Sequence, residues 1–111
     1  MLNDKMQSTQ NLVDELVKEY VESKYDKKYL KEKVTEILEF ILPEIAIIIK
    51  DMKEKEIVNI WNSIKEDEKI KNLFKMAMEK IERPIVIYVA SKFENNKYFG
   101  TRIIEDALKW K

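Results

Sequence analysis

Apolar residues recur along the chain at the spacing that is typical of amphipathic helices. In a first segment, which starts near Ser8 or Thr9, positions i, i+3, i+4, i+7 and i+8 are apolar, and either of these two hydroxyl residues can cap the helix. This first stripe consists of Leu12, Val13, Leu16, Val17, Tyr20 and Val21. Polarity then rises through residues 22–28, which predicts either a turn with Asp26 capping the next helix or one continuous rod.

Pro43 interrupts the next apolar stretch. A second stripe runs from Leu30 to Leu42, and proline disfavours α geometry in the residue before it. We therefore expect a helix to end or kink at Leu42 and a new helix to begin at Pro43. Residues 44–52 are apolar on every face, so their period fits a buried helix or a short buried strand. The absence of nearby turn residues favours the helix.

The second half of the chain repeats this pattern. Two clean stripes cover residues 57–64 and 70–81, with Asp67 as a plausible cap between them. Pro84 opens another short, β-branched segment, for which we predict a helix that ends at residues 95–96. Residues 97–100 are expected to form a loop, and Thr101 is expected to cap a last short helix.

The single glycine among 111 residues strengthens the helical interpretation. Tight hairpins depend on glycine or on Asn-Gly pairs, and this chain has almost none. The length is that of one ordinary domain. The sequence therefore predicts a compact all-α bundle of five to seven short helices, with residues 1–111 forming a single domain.

Composition excludes several kinds of chemistry. The chain has no cysteine and no histidine, which removes thiolate catalysis, thiolate zinc sites and every triad that needs imidazole. One glycine cannot build a phosphate-binding loop, so we expect no cofactor and no enzymatic activity. No apolar run follows the first residues, and the longest apolar stretch, residues 40–49, is too short to span a bilayer. We expect a soluble, cytoplasmic protein.

Two acidic pairs are the only candidates for a metal site. Glu19 and Glu22 are three residues apart, as are Glu36 and Glu39, on consecutive predicted helices. Their spacing is similar to the paired acidic motifs with which all-α nucleotide pyrophosphatases hold Mg²⁺, although that family has Asp where Glu39 stands. Each pair points away from the apolar stripe of its own helix, whereas shared metal ligands must converge. Solvated helix faces are the better interpretation.

A basic and aromatic cluster near the C-terminus is a candidate nucleic-acid surface. Residues 69–111 contain ten Lys and Arg against five Asp and Glu, although the whole chain has a net charge of zero. Cations bind phosphates, aromatic rings stack on unpaired bases, and Asn can read base edges. The candidate residues are Lys92, Asn96, Lys97, Tyr98 and Arg102. A smaller run of the same character, residues 24–29, would extend this surface if it lay nearby.

The isoleucines after Pro43 are more numerous than one helix face can hold. Either this helix is wrapped by the others or part of it packs against another chain, and short helices make complete wrapping difficult. We therefore expect self-association, most simply as a twofold homodimer, through Ile45, Ile48, Ile49 and Met52. The resulting hypothesis is a non-enzymatic interaction or adaptor protein that self-associates. The alternative is a helical nucleic-acid-binding protein, and a metal-dependent hydrolase is a third class.

Overall fold

The computed structural model describes residues 4–20 and 24–110, and it contains six α-helices and no strand within those ranges. The helices are α1 (Asp4–Lys18), α2 (Lys27–Lys50), α3 (Ile57–Ile64), α4 (Glu68–Ala77), α5 (Arg83–Asn95) and α6 (Lys97–Leu108). The predicted all-α bundle of five to seven helices is therefore confirmed. Val21 and Glu22 lie outside the described residues.

The prediction that a helix ends at Leu42 and a new one begins at Pro43 is wrong, because α2 spans 24 residues and contains this proline. A proline inside a helix costs about 3 kcal/mol, since it removes one backbone hydrogen bond and crowds the preceding turn. Burial of one unbroken apolar stripe on both sides of Pro43 offsets that cost. The buried positions of the stripe are Leu30, Val34, Ile37, Leu38, Ile41, Leu42, Ile45 and Ile49. Residues 44–50 of the segment 44–52, whose period fitted either a helix or a strand, are therefore helical, as predicted. They belong to the same helix as residues 27–42.

Two predicted helix caps are confirmed. The Asp26 carboxylate accepts a hydrogen bond from the Tyr29 backbone N–H at 2.9 Å, and Asp67 accepts one from Lys69 N–H at 2.7 Å. Each satisfies a backbone donor that the helix itself leaves unpaired. The prediction that α1 begins near Ser8 or Thr9 is wrong, because α1 already begins at Asp4.

The predicted loop at residues 97–100 is also wrong. These residues form the first turn of α6, and Asn96 is the only residue between α5 and α6. The Asn96 side chain accepts a hydrogen bond from the Phe99 N–H at 3.2 Å and so caps the helix. Thr101, the expected cap, lies inside α6, where its hydroxyl donates to the Lys97 carbonyl at 2.8 Å.

Helices α2 and α6 form the centre of the bundle. Helix α2 packs against α1, α4, α5 and α6, while α6 packs against α1, α2, α3 and α5. The core between them includes the fully buried rings of Phe93 and Phe99. The indole Nε1 of Trp61 donates to the Phe93 carbonyl at 2.6 Å, which joins α3 to the end of α5.

One buried carboxylate connects α1 to α6. The Asp106 side chain is only 2% exposed, and it accepts hydrogen bonds from the hydroxyls of Ser8 and Thr9. The Thr9 contact measures 3.1 Å. A carboxylate at this depth is tolerated because these donors replace part of its hydration.

Candidate interaction surface

An apolar cleft opens beside the second half of α2. Its walls come from that half of the helix, from the connection between α2 and α3, from α3 itself and from the end of α6, and its volume is about 650 Å³. The lining residues are Pro43, Ala46, Ile47, Ile49, Lys50, Glu54, Lys55, Ile60, Leu108 and Trp110. Most of these side chains are apolar, and the charged ones lie together on α2 and on the connection that follows it.

Ile47 is the most exposed large apolar side chain of the described residues, with 61% of its surface open to solvent. Its exposure follows from helical phase. Ile45 and Ile49 continue the buried stripe of α2, so the residue between them points to the opposite side. The cleft lies beside that side chain, and Ile47 forms part of its wall.

Both signs of charge lie at the cleft. Lys50 and Lys55 are exposed, and neither forms an ion pair with another described residue. The Glu54 carboxylate accepts a hydrogen bond from the Ser63 hydroxyl at 3.0 Å, which places the acid beside α3. The cleft therefore combines an apolar lining with two free cations and one positioned anion.

The structure separates the four residues that the sequence suggested for self-association. Ile45 and Ile49 are 0% and 5% exposed in the core, so one copy already buries these two side chains, and self-association through the four residues stays a prediction. The six helices enclose this side of α2 more completely than their lengths implied. Ile48 and Met52 are partly buried against the same core. Of the four, only Ile49 lines the cleft.

The candidate nucleic-acid residues lie around the junction of α5 and α6, where an acidic face of α1 meets them. Lys92 forms an ion pair with Glu19 at 2.9 Å, and Arg102 forms one with Glu15 at 2.8 Å. The other three residues differ in their roles. Asn96 caps α6, Tyr98 is 52% exposed, and Lys97 is exposed without an ion-pair partner among the described residues.

Glu15 is the centre of a small polar cluster at this junction. Its carboxylate accepts a hydrogen bond from Arg102 and another from the Tyr98 hydroxyl, each at 2.8 Å. These donors stabilise the charged form and hold the pKa of Glu15 below its usual value, the Arg102 hydrogen bond being the largest cause. The positive charge of Arg102 is therefore largely committed within the protein.

The smaller basic and aromatic run lies elsewhere. Tyr25 and Tyr29 stack with ring centroids 5.8 Å apart, and the Tyr29 hydroxyl donates to Glu82, immediately before α5. That hydrogen bond raises the pKa of Tyr29 to about 12 and lowers the pKa of Glu82. Lys92 belongs to the other end of α5, about 15 Å away at 1.5 Å per helical residue. The two basic regions therefore do not merge.

The acidic pairs do not converge. Glu36 lies 3.3 Å from Lys33 of its own helix, Glu39 is exposed, and Glu19 is paired with Lys92 on a different face of the bundle. Over residues 4–20 and 24–110, no group of three acidic, histidine or cysteine side chains is placed to hold a metal ion. Within the same residues, no helix is both long enough and apolar enough to cross a membrane.

Sequence reasoning missed most of the cleft. Leu108 ends α6 and Trp110 follows it, far along the chain from Pro43 and Ala46, and only the fold brings them together. One signal was available for Ile47. If the apolar stripe of α2 continues through Pro43, the helical phase of the stripe places the Ile47 side chain outside the core.

Relatives supply no independent guide to this surface. No protein-family model, no curated protein and no solved structure matches the chain.

Proposed function

We propose that this chain is a small, non-enzymatic helical interaction protein, whose apolar cleft binds a helical segment of a polypeptide. The absence of histidine and cysteine supports the non-enzymatic part, since the usual base and nucleophile near neutral pH are lacking. The cytoplasmic location expected from the sequence belongs to the same proposal. It is compatible with a chain that has no disulfide to form.

The single observation that carries this proposal is the exposed Ile47 on the wall of a large apolar cleft. Its neighbours Ile45 and Ile49 are buried in the core, whereas Ile47 is exposed to solvent. Contiguous exposed apolar surface with a polar rim is typical of a binding site on an otherwise soluble protein. A volume of about 650 Å³ lies within the range of formed binding pockets.

A helical segment suits this shape. Apolar grooves between helices commonly bind amphipathic helices, whose residues at i, i+3 or i+4, and i+7 enter the groove while polar residues face solvent. Seven of the ten lining residues of this cleft are apolar, and the three charged ones come from the last residue of α2 and the connection that follows it. An incoming helix can therefore bury its apolar face and keep its charges beside Lys50, Glu54 and Lys55.

Peptide selection on matched variants tests the proposal. Ala46 lines the cleft, whereas Ala90 is a partly buried alanine on α5 that does not line it. A displayed peptide library is selected on the wild type, and the enriched peptides are titrated against Ala46→Arg and Ala90→Arg. We expect amphipathic peptides that lose about tenfold or more in affinity on Ala46→Arg and little on Ala90→Arg.

Circular dichroism first establishes that both variants are folded. A library that yields no peptide able to distinguish the two variants contradicts the proposed function. Equal weakening by both variants does so as well, because binding would then depend on stability rather than on the cleft.

A further inference from the structure

We infer that the occupant of the cleft is a second copy of this chain, bound about a twofold axis with Ile47 of each copy in the cleft of the other. This inference rests on the proposed function, because it names the partner of the same site. It also moves the centre of the predicted self-association from the buried side chains of Ile45 and Ile49 to the exposed Ile47.

This surface contains both a projecting apolar side chain and a space that can receive one. A twofold interface uses the same patch on both copies, so that patch must provide what projects and what receives. Ile47 projects with 61% of its surface exposed, and the space beside it is lined by Ala46, Leu108 and Trp110. One patch therefore supplies the side chain and the space that can take it.

The charges at the cleft also suit contact with a second copy. A patch of one sign would repel its own copy across a twofold axis, whereas this one carries Glu54 among Lys50 and Lys55. Apposed copies can place the acid of each near the lysines of the other. The two lysines form no ion pair within the described part of the chain, so no existing ion pair must break. A net charge of zero adds no long-range repulsion between copies.

Ile47 differs from the other exposed large apolar side chains of the described residues in its position at the cleft. Met76, Ile87 and Tyr98 are each about half exposed, at 51%, 47% and 52%, and none of them lines the cleft. Tyr98 is already bound to Glu15 through its hydroxyl. Ile87 therefore serves as a matched control for Ile47, as an exposed isoleucine on a helix that does not line this cleft.

Light scattering and sedimentation equilibrium on the full chain test the apolar contact. The wild type is expected to approach twice the monomer mass of 13.4 kDa as its concentration rises. Ile47→Glu should remain a folded monomer with a dimer dissociation constant raised about a hundredfold or more, since it replaces an apolar contact with a carboxylate that must lose water to enter a largely apolar space. Ile87→Glu should dimerise like the wild type.

A charge exchange tests the orientation. Glu54→Lys makes the charges at the cleft wholly basic, and the double variant Lys50→Glu/Lys55→Glu makes them wholly acidic. Each protein alone should associate more weakly than the wild type, and an equimolar mixture should form a mixed dimer at low salt. Raising the salt concentration should weaken the mixed dimer, because its added stability is electrostatic.

Each outcome has a separate meaning. A wild type that stays monomeric throughout overturns this inference, and the peptide experiment then decides the proposed function on its own. A dimer that survives Ile47→Glu, or a mixture of charge variants that does not associate, also overturns it by placing the contact elsewhere. Loss of dimerisation in Ile47→Glu but not in Ile87→Glu supports it.

Discussion

Gly100 of α6 lies directly against the indole ring of Trp61 in α3. A Cβ atom on Gly100 would stand 2.1 Å from Nε1 of the ring and 2.6 Å from Cε2, far closer than nonbonded heavy atoms approach. The ring has little freedom to move away, because Nε1 donates to the Phe93 carbonyl at 2.6 Å. The only glycine of the chain therefore serves close packing between two helices rather than a turn.

Gly100→Ala should lower the free energy of unfolding by about 2 kcal/mol. Alanine gains about 1 kcal/mol in helix propensity, but forcing a methyl group into the ring costs more than that. Urea unfolding followed by circular dichroism measures the difference. Thr101→Ala, on the next residue of α6, is the control, and we expect it to change stability by no more than about 0.5 kcal/mol.

A double-mutant cycle identifies the cause. In a Trp61→Leu background the ring is gone, so the cost of Gly100→Ala should shrink or change sign. An equal cost in both backgrounds would mean that the backbone at position 100, rather than the indole, requires glycine.

The buried Asp106 should stabilise the contact between α1 and α6. Asp106→Ala removes the acceptor of the Ser8 and Thr9 hydroxyls and leaves a small void, so we expect a loss of about 2 kcal/mol in the free energy of unfolding. The exposed neighbour Glu105 provides the control, and Glu105→Ala should have little effect. Similar losses in both variants would contradict a specific role for the buried carboxylate.

The Glu15 cluster predicts an acid-sensitive contribution to stability. The folded-state pKa of Glu15 lies below its usual value of 4.5, so the contribution of its charged form is present above that value. It is lost as the pH falls through the lowered pKa. The difference in unfolding free energy between the wild type and Glu15→Gln should therefore be largest near pH 7 and should vanish in acid.

The size of that difference should be below about 1 kcal/mol, because 40% of the Glu15 side chain is exposed and solvent screens the ion pair. Unfolding curves at a series of pH values, with Glu105→Gln as the control, measure it. A difference that persists unchanged at low pH would show that Glu15 acts through packing rather than through charge.

The nucleic-acid hypothesis predicts retention by labelled single-stranded DNA or RNA at low salt, lost steeply as the salt concentration rises. We expect weak retention, because Glu19 and Glu15 neutralise Lys92 and Arg102. Replacing both acids with Gln should strengthen it. Lys97→Ala combined with Arg102→Ala should remove it, and retention that survives this double variant would reject the proposed residues.

The helices themselves were largely predictable, because each buries one face and the buried positions recur with the helical period. Asp26 and Asp67 cap their helices as their positions suggested. The local preference of proline does not predict the course of α2 at Pro43, because the buried stripes on its two sides belong to one continuous helix. The loop prediction for residues 97–100 is wrong because Asn96, rather than Thr101, caps the last helix, which therefore begins at Lys97.

The candidate site was less predictable because it depends on contacts between distant parts of the chain. Ser8 and Asp106 are 98 residues apart, and no pattern in the sequence relates them. The same is true of Trp110 and Ala46, which line one cleft. Periodicity assigns a residue to a buried or exposed face, but it does not determine which other faces will lie opposite.

The positions of the two tryptophans give this protein separate optical reporters. Trp61 is held in the core by its bond to Phe93, whereas Trp110 lines the cleft. In a Trp61→Phe protein, the remaining indole emission comes from the cleft alone, so a shift in its wavelength registers what enters there. In a Trp110→Phe protein, emission follows the integrity of the core, and comparing the two spectra distinguishes occupancy from unfolding.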